Sequence, residues 1–496
     1  MPEMQLISRL KHHANSNPTS IACYTLNNES LTYSELFRKV DAFSIAVQQC
    51  CSEKSVVLLS TRNHISYSIA LLGLLASGCT VFPISSTVAK SEFIRAATES
   101  KAVGFIGTFP DQLDQSTFPF EFLMDSSQIG VGTCNEPVVN ITTGPKSSDN
   151  SNHPGNSCFS NLYLQSSGTT GLPKIVRRDA ISLDSVAEAM VNAIGIKPVD
   201  RILMSIPLTH SYGLEHGLLA PIWAGAAVCL AANATPVQLL NAIQKGITIL
   251  PGVPSTFEMI LSTSFTPSDF RTLTKAYSAG APLPKPIFQD MLDRTGIRIA
   301  QLYGATEVGS VTYNSTIGPE FNPATVGTAM TGVSIRILDP TDHSKNLPAD
   351  KEGLIAIQAK SMFSEYLHET ADLIDGHFLT GDLGYLDTAG QLFITGRNKL
   401  LIDIGGQKVN PLEVEQLIEQ HPLVRACVVL GIKQSETINR LRAIIEPADA
   451  KCPPPEEELR QLCRSHLSAY KVPRQFEFHN QLPRSTTGKI LRQQLE

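Results

Sequence analysis

The sequence predicts an α/β protein with a large N-terminal domain of parallel-rich sheets and helices, a small β subdomain inside it, and a small α+β C-terminal domain. In the first half of the chain, apolar strand-like runs alternate with helical runs, which is typical of parallel sheets with helical crossovers. After Thr325, short strand-like runs follow one another between Gly and Asp turns. Since a single core rarely grows to 496 residues, we expect at least two domains.

The N-terminal elements follow from apolar periodicity and from the residues that interrupt it. The predicted helix–strand pairs are LTYSELFRKVDAFSIAVQQC with SVVLLS and SYSIALLGLLASG with TVFPI, and further strands are RILMSIPL, AAVCLA and KGITILPG. The apolar run 66–84 approaches the length of a membrane span, but Gly78 and Pro83 divide it. We therefore expect a buried helix and strand there, and no membrane span. The composition of residues 142–157 predicts a surface loop.

The β subdomain is predicted over about 325–397, which makes residues 1–397 the N-terminal domain and residues 398–496 the C-terminal domain. The subdomain strands are VGTAMTGVSIRILD, GLIAIQA, GHFLTGDLGYLD and GQLFITGR. In the C-terminal domain, RACVVLGI and RLRAIIEP are predicted strands, and NPLEVEQLIEQHP and PPPEEELRQLCRSHLSA are predicted helices. Pro and acidic residues at the start of the last helix favour its N-terminus.

The composition is that of an ordinary globular protein, with 42% hydrophobic and 17% charged residues. A net charge of −6 gives no electrostatic reason to expect nucleic acid or an anionic membrane as a partner. The ten cysteines are scattered and form no C-x-x-C pair, which favours free thiols over a disulfide scaffold or a zinc site. The first residues, MPEMQLISRLKHH, lack the apolar core of a signal peptide. We expect a cytoplasmic location.

The stretch QSSGTTGLPK, residues 165–174, follows a short predicted strand. Backbone N–H groups of Gly turns, hydroxyl side chains and one Lys together suit a phosphate group. The alternative is an ordinary surface turn, which most Ser/Gly/Thr stretches form. The Walker pattern is excluded, because it needs Lys and a hydroxyl residue directly after the second Gly.

Three further motifs have both a functional and a structural interpretation. QLYGATEVG, residues 301–309, suits a nucleotide base beside a metal-bound phosphate, or else a helix start capped by Thr306. TGDLGYLD and GQLFITGRNK, within 380–399, place Asp382 and Arg397 where ribose hydroxyls could bind, or else form β-turns. LPRSTTGKI, residues 482–490, carries a Lys that is solvated or functional.

Taken in this order, the four motifs resemble those of the adenylate-forming superfamily: acyl- and aryl-CoA synthetases, carrier-protein adenylation domains and luciferases. The resemblance runs across essentially the whole chain. The matching stretches are SSGTTGLPK, YGATE, TGDLGYLD, ITGRNK, GGQKVNPLEVE and YKVPRQFEF…LPRSTTGKILR. Such enzymes join a carboxylate to the α-phosphate of ATP, releasing pyrophosphate, and a thiol then displaces AMP to form a thioester. Mg²⁺ and Lys offset the repulsion between the two anions in the first step.

The resemblance implies a role for each matching residue. The β- and γ-phosphates would be held by Ser166, Ser167, Gly168, Thr169, Thr170, Gly171 and Lys174. The adenine would be flanked by Gly280, Ala281, Pro282, Tyr303 and Gly304, and the ribose would be bound by Asp382 and Arg397. Thr306 would bind the α-phosphate and Glu307 the Mg²⁺.

In the C-terminal part, Lys489 would reach both the carboxylate and the α-phosphate, and Lys399 would be the hinge of a mobile domain. Gly405 and Gly406 would line the tunnel for the thiol. One departure follows the loop Lys, where many relatives have Gly and then a His-containing segment. This chain reads KIVRRDA, and Arg177 and Arg178 are either extra phosphate contacts or solvated side chains.

The acid substrate is predicted from PLTHSYGLEHG, residues 207–217. Amino-acid-activating domains carry a Phe-Asp pair there, and this chain has His210, which resembles acyl- and aryl-CoA synthetases and disfavours a plain α-amino acid. Glu215 and His216 are either pocket residues or helix surface. The predicted pocket walls are His210, Ser211, Tyr212, Gly252, Val253, Ser278, Gly280 and Val308. They are mostly small or apolar and favour an acyl or aryl acid.

The thiol acceptor is coenzyme A or the phosphopantetheine of an acyl carrier protein, and the wording of the last motifs favours CoA. Two alternatives of other kinds remain at this point, a silent binding homologue and a luciferase-type oxygenase. Loss of Glu307, Lys489 or the loop would favour the silent homologue, and all are present.

Overall fold

A computed structural model describes most of the chain. The described residues are 4–107, 120, 122–124, 129, 142–143, 161–166, 174–231, 233–281, 283–315, 321–397, 402–405, 407–409, 411–433, 439–483, 490 and 492–495. Within them, no helix combines the length and apolar character needed to cross a membrane.

The helices of the described residues are, in chain order, α1 Gln5–Ser16, α2 Tyr33–Cys50, α3 Ile65–Ala76, α4 Lys90–Ser100, α5 Ala180–Ile194, α6 Ser211–Leu214, α7 Ala220–Ala224, α8 Pro236–Gln244, α9 Pro254–Leu261, α10 Lys285–Thr295, α11 Pro411–Ile418 and α12 Glu456–His466. A π-helical turn, Glu215–Leu219, joins α6 to α7.

The strands of the described residues are, in chain order, β1 Ile21–Thr25, β2 Ser30–Thr32, β3 Val56–Ser60, β4 Thr80–Pro83, β5 Gly104–Gly107, β6 Phe122–Met124, β7 Thr142–Thr143, β8 Asn161–Ser166, β9 Lys174–Asp179, β10 Arg201–Met204, β11 Ala227–Leu230, β12 Ile249–Gly252, β13 Lys275–Ser278, β14 Ile299–Ala305, β15 Gly309–Tyr313, β16 Thr328–Ala329, β17 Val333–Leu338, β18 Gly353–Ala359, β19 Glu365–Tyr366, β20 Leu373–Ile374, β21 His377–Leu386, β22 Leu392–Arg397, β23 Ile402–Ile404, β24 Gln407–Val409, β25 Val424–Lys433, β26 Asn439–Pro447 and β27 Gln475–Phe478.

The largest sheet of the described residues has nine strands in the order β16-β15-β14-β13-β12-β10-β11-β1-β2. The central pairs from β1 to β14 are parallel, with Ile202 opposite Val228 and Leu250 opposite Ala276. The antiparallel strands β2, β15 and β16 complete the two ends. The predicted parallel-rich sheet with helical crossovers is therefore confirmed.

A second sheet has eight strands within the described residues, in the order β19-β9-β8-β4-β3-β5-β6-β7. Its strands β3, β4, β5, β6 and β8 run parallel. The apolar run 66–84 forms most of α3 and all of β4 with buried side chains, as predicted. Thr142 and Thr143 pair with β6, so the predicted loop 142–157 begins in a strand. Its remaining residues lie outside the described part of the chain.

The main core contains side chains from both large sheets and from α1, α2, α3 and α5. Helices α2 and α3 are close together because Gly73 has no side chain, and a Cβ there would lie 2.6 Å from Phe43 Cδ1. A second core covers the other face of the nine-stranded sheet with α8, α9 and α10, and includes Leu250, Phe257 and Met291. Both faces of the parallel sheet are thus covered, as such sheets require.

The predicted β subdomain forms a sheet in the order β17-β18-β21-β20, with β22 paired to β21. Its pairs are antiparallel. A cluster of buried side chains, among them Val176, Val308 and Ile355, packs this sheet against β9 and β15. The subdomain therefore shares a core with the strands that carry two of the predicted motifs.

The chain divides into two compact units. The first comprises Met1–Ser86, Ala97–Ser166 and Ile175–Asn398, and the second comprises Thr87–Ala96, Ser167–Lys174 and Lys399–Glu496. In the second unit, β25, β26 and β27 form a sheet with a core of its own. Lys471 is buried there, with Nζ 2.9 Å from Glu92 Oε1 and 3.0 Å from Glu413 Oε1. The division into functional domains at 397/398, and the mobility of the second domain, stay predictions.

Eight of the cysteines lie in the described residues, and none of these eight forms a disulfide. Most of the eight are buried in the cores. The observation agrees with the expected free thiols for this part of the chain.

Candidate active site

The motif YGATEVG forms the end of β14, a tight turn and the start of β15. The two strands are antiparallel, with Ala305 opposite Gly309, and the Val308 N–H donates to the Ala305 carbonyl at 3.1 Å. The helix start considered as an alternative is therefore wrong. Thr306 and Glu307 lie at the tip of this turn and are partly exposed.

Two glycines make the turn possible. A Cβ on Gly304 would lie 2.4 Å from the Gly309 carbonyl oxygen, so only a glycine allows the strands to approach so closely. Gly309 has a φ of 74°, which is in the region that side chains disfavour. The glycines of the motif YGATEVG are therefore also required for the sharp hairpin between β14 and β15.

The segment 361–366 fixes the turn from one side. The Tyr366 hydroxyl donates to Glu307 Oε1 at 3.0 Å, and the Phe363 N–H donates to the Glu307 carbonyl at 2.7 Å. The Ser361 hydroxyl donates to the Val308 carbonyl at 2.7 Å. Burial and the Glu307 carboxylate raise the pKa of Tyr366, so this hydroxyl keeps its proton and remains a donor.

The structure brings Tyr303 and Asp382 together, although 79 positions separate them. The Tyr303 hydroxyl donates to Asp382 Oδ2 at 2.6 Å. Asp382 is only 3% exposed and lies within β21, opposite Arg397 of β22. It is therefore a strand residue and not a turn residue. The side chain of Arg397 lies outside the described part of the structure.

A cluster of aromatic side chains extends from α6 towards β13 and β15. The Tyr212 ring meets the His216 ring edge-on at 4.6 Å, and the His216 and Tyr277 rings are 5.2 Å apart. Tyr277 in turn lies 5.9 Å from Tyr313. The Tyr212 hydroxyl donates to the Gly252 carbonyl at 3.0 Å, which fixes the ring against the end of β12. His210 and Ser211, just before Tyr212, are partly exposed.

Lowered pKa values keep the two histidines of this region uncharged. Burial lowers the pKa of His210 and lowers that of His216 to about 3, so both imidazoles are neutral at neutral pH. The loop before His210 is held by Asn63, whose side chain accepts from Leu208 N–H and donates to the Ile206 carbonyl. The aromatic cluster is therefore uncharged, and several of its polar atoms are hydrogen-bonded.

The other predicted wall residues lie at the ends of two neighbouring strands. Gly252 is opposite Ser278, and the Ala279 N–H donates to the Gly252 carbonyl at 3.1 Å. Ser278 is 1% exposed, and its hydroxyl has no hydrogen-bond partner among the described residues. Gly280 is exposed with a φ of 83°. Since carboxyl ends of parallel strands meet at one edge, these residues share that edge.

The remaining predicted residues have varied positions. Val253 and Ala281 are partly exposed, and Val308 is fully buried in the cluster between β9, β15 and the β subdomain. Ser166 ends β8, Lys174 begins β9, and Gly405 lies in the exposed turn between β23 and β24. Outside the described residues lie Ser167, Gly168, Thr169, Thr170, Gly171, Pro282, Lys399, Gly406 and Lys489.

The two arginines after Lys174 have different environments. Arg177 contacts Glu365 at 2.6 Å and Asn161 at 3.2 Å. Arg178 is fully buried and pairs with Glu215, so it is not a solvated side chain. Glu215 and His216 are buried as well, which excludes the helix-surface alternative. The alternation of side chains along β9 could have indicated that Arg178 is buried, because it lies on the same face as Val176, whose side chain is buried.

The hairpin tip could supply one carboxylate, that of Glu307, to an Mg²⁺ ion. The carboxylate of Glu307 is a hard oxygen ligand, and Mg²⁺ is usually held by one or two carboxylates together with substrate phosphates and water. Among the described residues, no group of three or more His, Cys, Asp or Glu side chains could hold a metal ion by itself.

Comparison with known proteins identifies two family models in the chain. Residues 10–367 match the model of the AMP-binding enzyme, and residues 413–489 match that of the AMP-binding enzyme C-terminal domain. The malonate–CoA ligase of Arabidopsis thaliana is 28% identical to this chain. The match covers 68% of this chain and 60% of that protein. The fatty acid–[acyl-carrier-protein] ligase ScoC of Streptomyces coeruleorubidus is 27% identical, over 100% of this chain and 96% of its own.

Solved structures share the fold along nearly the whole chain. The o-succinylbenzoate CoA synthetase of Bacillus subtilis has a TM-score of 0.83 at 22% identity, covering 100% of this chain and 98% of its own. The amide bond synthetase McbA of Marinactinospora thermotolerans has a TM-score of 0.84 at 23% identity, covering 99% and 98%. At these identities the likeness establishes the fold and not the substrate.

Proposed function

The chain belongs to the AMP-binding enzyme family, and from this premise we propose that it uses ATP to activate an acyl or aryl carboxylic acid and transfers the acyl group to the thiol of coenzyme A. The observation that carries the proposal is the joint position of two motifs. The Tyr303 hydroxyl bonds to Asp382, and the turn that follows β14 presents Thr306 and Glu307. A nucleotide needs an aromatic group for its base, a hydrogen-bond acceptor for its ribose, and polar groups for its phosphate and metal. Tyr303, Asp382 and the pair Thr306 and Glu307 would supply these groups.

In the first half-reaction, a carboxylate oxygen attacks the α-phosphorus of ATP and the bond to pyrophosphate breaks. Glu307, held by Tyr366, would bind Mg²⁺, which when bound offsets phosphate charge. Thr306 would donate its hydroxyl to the α-phosphate. By resemblance, Lys489 would bring the two anions together and the loop 166–174 would hold the departing phosphates.

In the second half-reaction, a thiolate sulfur attacks the carbonyl carbon of the acyl adenylate and the bond to AMP breaks. The thiol proton passes to solvent, and AMP leaves as the phosphate anion. By resemblance, Gly405 and Gly406 would border the path of the thiol after the C-terminal domain has turned at Lys399.

The environment of His210 supports an acyl or aryl acid as substrate. The described wall residues His210, whose pKa is lowered by burial, Tyr212 and Tyr277 carry no negative charge that would pair with an α-ammonium group. The buried guanidinium of Arg178 is already paired with Glu215. Arg178 is therefore not a free partner for a second carboxylate on the substrate.

The carrier-protein phosphopantetheine is the second candidate acceptor. It is favoured by the match to the Streptomyces ligase, which covers 100% of this chain and 96% of that protein. The two acceptors present the same pantetheine arm, so the choice depends on surfaces outside the pocket.

A pyrophosphate-release screen with a panel of carboxylic acids tests the proposal. We expect release with a subset of acyl or aryl acids, and thioester with AMP when CoA is added. A parallel arm replaces CoA by a phosphopantetheinylated carrier protein, and faster thioester formation there would favour the second acceptor. If ATP binds but no acid of the panel causes release, the silent-homologue alternative is favoured.

A further inference from the structure

We infer that a buried polar network centred on the Arg178–Glu215 ion pair positions the turn that carries Thr306 and Glu307 and links it to the wall of the acid pocket. The inference rests on the proposed function, because it assigns residues that support the same site. The members of the buried network are Arg178, Ser182, Glu215, His216, Tyr277, Ser310 and Ser361.

The ion pair lies in the interior of the first unit. Arg178 is 0% and Glu215 is 2% exposed, and Arg178 Nη1 lies 3.0 Å from Glu215 Oε1. Arg178 Nε donates to the Ser182 hydroxyl at 2.5 Å. Charges in such a place need full hydrogen bonding, because desolvation is otherwise not compensated. The bonds that the pair makes therefore define where its neighbours must be.

On one side, the pair holds the strand that leaves the turn. Glu215 Oε2 accepts from the Ser310 N–H at 3.1 Å and from the Ser310 hydroxyl at 2.8 Å. Gly309 lies directly before, and a Cβ there would be 3.1 Å from both Arg178 Nη2 and Glu215 Oε1. The backbone three positions after Glu307 is thus fixed to a buried carboxylate.

On the other side, two serines connect the pair to the turn itself. The Ser182 hydroxyl, which accepts from Arg178, donates to the Ser361 carbonyl at 2.7 Å. The Ser361 hydroxyl donates to the Val308 carbonyl at 2.7 Å. The turn is therefore held at Val308 and at Ser310, immediately after the residues assigned to the α-phosphate and the metal.

The network also reaches the aromatic wall. Because the Ser310 hydroxyl donates to Glu215, its oxygen accepts from His216 Nε2 at 3.1 Å, and His216 Nδ1 accepts from the Tyr277 hydroxyl at 2.7 Å. This assignment needs one proton on the imidazole, which agrees with the lowered pKa of His216. The His216 ring contacts Tyr212, so an unbroken set of contacts joins the predicted acid pocket to the metal-binding turn.

The π-helical turn explains how the adjacent residues Glu215 and His216 can both hydrogen-bond to Ser310. Glu215 and His216 are consecutive, yet both are buried and both bond to Ser310. The wider π turn, Glu215–Leu219, lets neighbouring side chains point inward together. Such turns interrupt regular helices and are frequent at functional sites. The π turn thus allows both Glu215 and His216 to be members of the buried network.

Four variants test the inference. Ser310→Ala removes one bond to Glu215 and keeps the ion pair, whereas Glu215→Gln removes the charge and keeps the shape. The double variant Arg178→Met/Glu215→Leu removes both charges and leaves an apolar interior, which restores packing without the bonds to Ser310. Leu72→Ala, in α3 and in the main core, lowers stability without changing a residue of the network and is the control.

For each variant we would measure Tm, the Kd of ATP with and without Mg²⁺, the kcat and KM of pyrophosphate release, and thioester formation from pre-made acyl adenylate. Loss of positioning should lower kcat for pyrophosphate release by about 10- to 100-fold and weaken the effect of Mg²⁺ on ATP binding. Thioester formation from the adenylate should change less. The double variant should have a Tm close to that of the wild type but a reduced kcat. Leu72→Ala should have a lower Tm and an unchanged kcat.

The inference is overturned if the double variant recovers both Tm and kcat, or if Ser310→Ala loses activity only in proportion to Tm. An inactive wild type that still binds ATP would contradict the proposed function. In that case the Mg²⁺ dependence of ATP binding decides the inference, which fails if wild type and Ser310→Ala show the same dependence.

Discussion

Glu307 illustrates how a single side chain acquires a role from its neighbours. Its carboxylate accepts from Tyr366, its carbonyl accepts from the Phe363 N–H, and the turn around it cannot lose Gly304. A carboxylate fixed in this way presents an oxygen without loss of further side-chain freedom. Its fixed position, more than the presence of an acid, is what would suit Glu307 to the proposed role of metal ligand.

We expect Glu307→Gln to weaken adenylate formation, because a neutral amide binds Mg²⁺ poorly and leaves the phosphates less neutralised. The loss should be greatest at limiting Mg²⁺ and should be measured as the rate of pyrophosphate release against Mg²⁺ concentration. Tyr366→Phe, which removes only the hydrogen bond, should cause a smaller loss. Full activity of Glu307→Gln at limiting Mg²⁺ would exclude the ligand role.

Replacing His210 by Ala should change the KM or the preference for the carboxylic acid more than the Kd of ATP. The reason is its position just before Tyr212, at the start of the helix that carries the aromatic wall. Steady-state kinetics with several acids and a separate ATP-binding titration measure the two effects. A change confined to ATP would remove His210 from the acid pocket.

His216 should make the protein less stable in acid. Its pKa is lowered from 6.5 to about 3 by burial, so between these values the unfolded chain binds a proton that the folded protein does not. The free energy of unfolding therefore falls as pH falls through this window, by about 1.4 kcal/mol per pH unit from this residue.

Denaturant unfolding between pH about 7 and about 5 measures this slope. His216→Asn should reduce it, whereas Leu72→Ala, a core variant that removes no titratable group, should leave the slope unchanged. An identical slope in wild type and His216→Asn would show that the buried imidazole does not control this pH dependence.

At the scale of elements, local signals determine where helices begin. Thr32 caps α2 with a full capping box, in which the Thr32 hydroxyl accepts from the Glu35 N–H and the Glu35 carboxylate accepts from the Thr32 N–H. The same arrangement occurs at Thr235 and Gln238 before α8. Both helices then pack apolar faces onto the large sheets, and this packing fixes their direction.

Thr32→Ala should lower the free energy of unfolding by about 1 kcal/mol, because a backbone N–H at the start of α2 loses its acceptor. Thr235→Ala is the matched comparison and should cost a similar amount. Neither change should alter KM for ATP or acid, since the hydrogen bonds of both caps are made within their own helix starts. Chemical denaturation with activity assays measures both effects, and a change in KM without loss of stability would contradict this expectation.

At the scale of the whole molecule, the proposed function needs two half-reactions with different requirements. The resemblance assigns Lys489 to the first and Gly406 to the second, with a change of domain orientation at Lys399 between them. All three residues lie outside the described part of the chain, so these assignments stay predictions. They can be tested because the two steps can be assayed separately.

Lys489→Ala should slow acyl-adenylate formation by several powers of ten, because positioning two repelling anions is its assigned task. It should affect thioester formation from pre-made adenylate only slightly. Gly406→Leu should show the opposite pattern, since a larger side chain would obstruct the pantetheine thiol. Equal slowing of both steps by Lys489→Ala, or normal thioester formation by Gly406→Leu, would refute the assignment.

The sequence by itself determined the fold class, the order of most elements and the family, because these depend on local signals. Apolar periodicity gave α3 and β4 in place of a membrane span, and the Gly and Asp turns gave the strands of the β subdomain. The motifs identified Tyr303, Glu307 and Asp382 as candidates, since their residue types and spacing reflect the chemistry of a nucleotide site.

Only the tertiary structure decided which of these residues meet and what supports them. Asp382 bonds to Tyr303 across 79 positions, Glu307 to Tyr366 across 59, and Glu215 to Arg178 across 37. Local sequence patterns carry no information about such partners, because they arise when distant elements pack together. A buried charge in particular is stable only beside its partner, and that partner is a property of the fold.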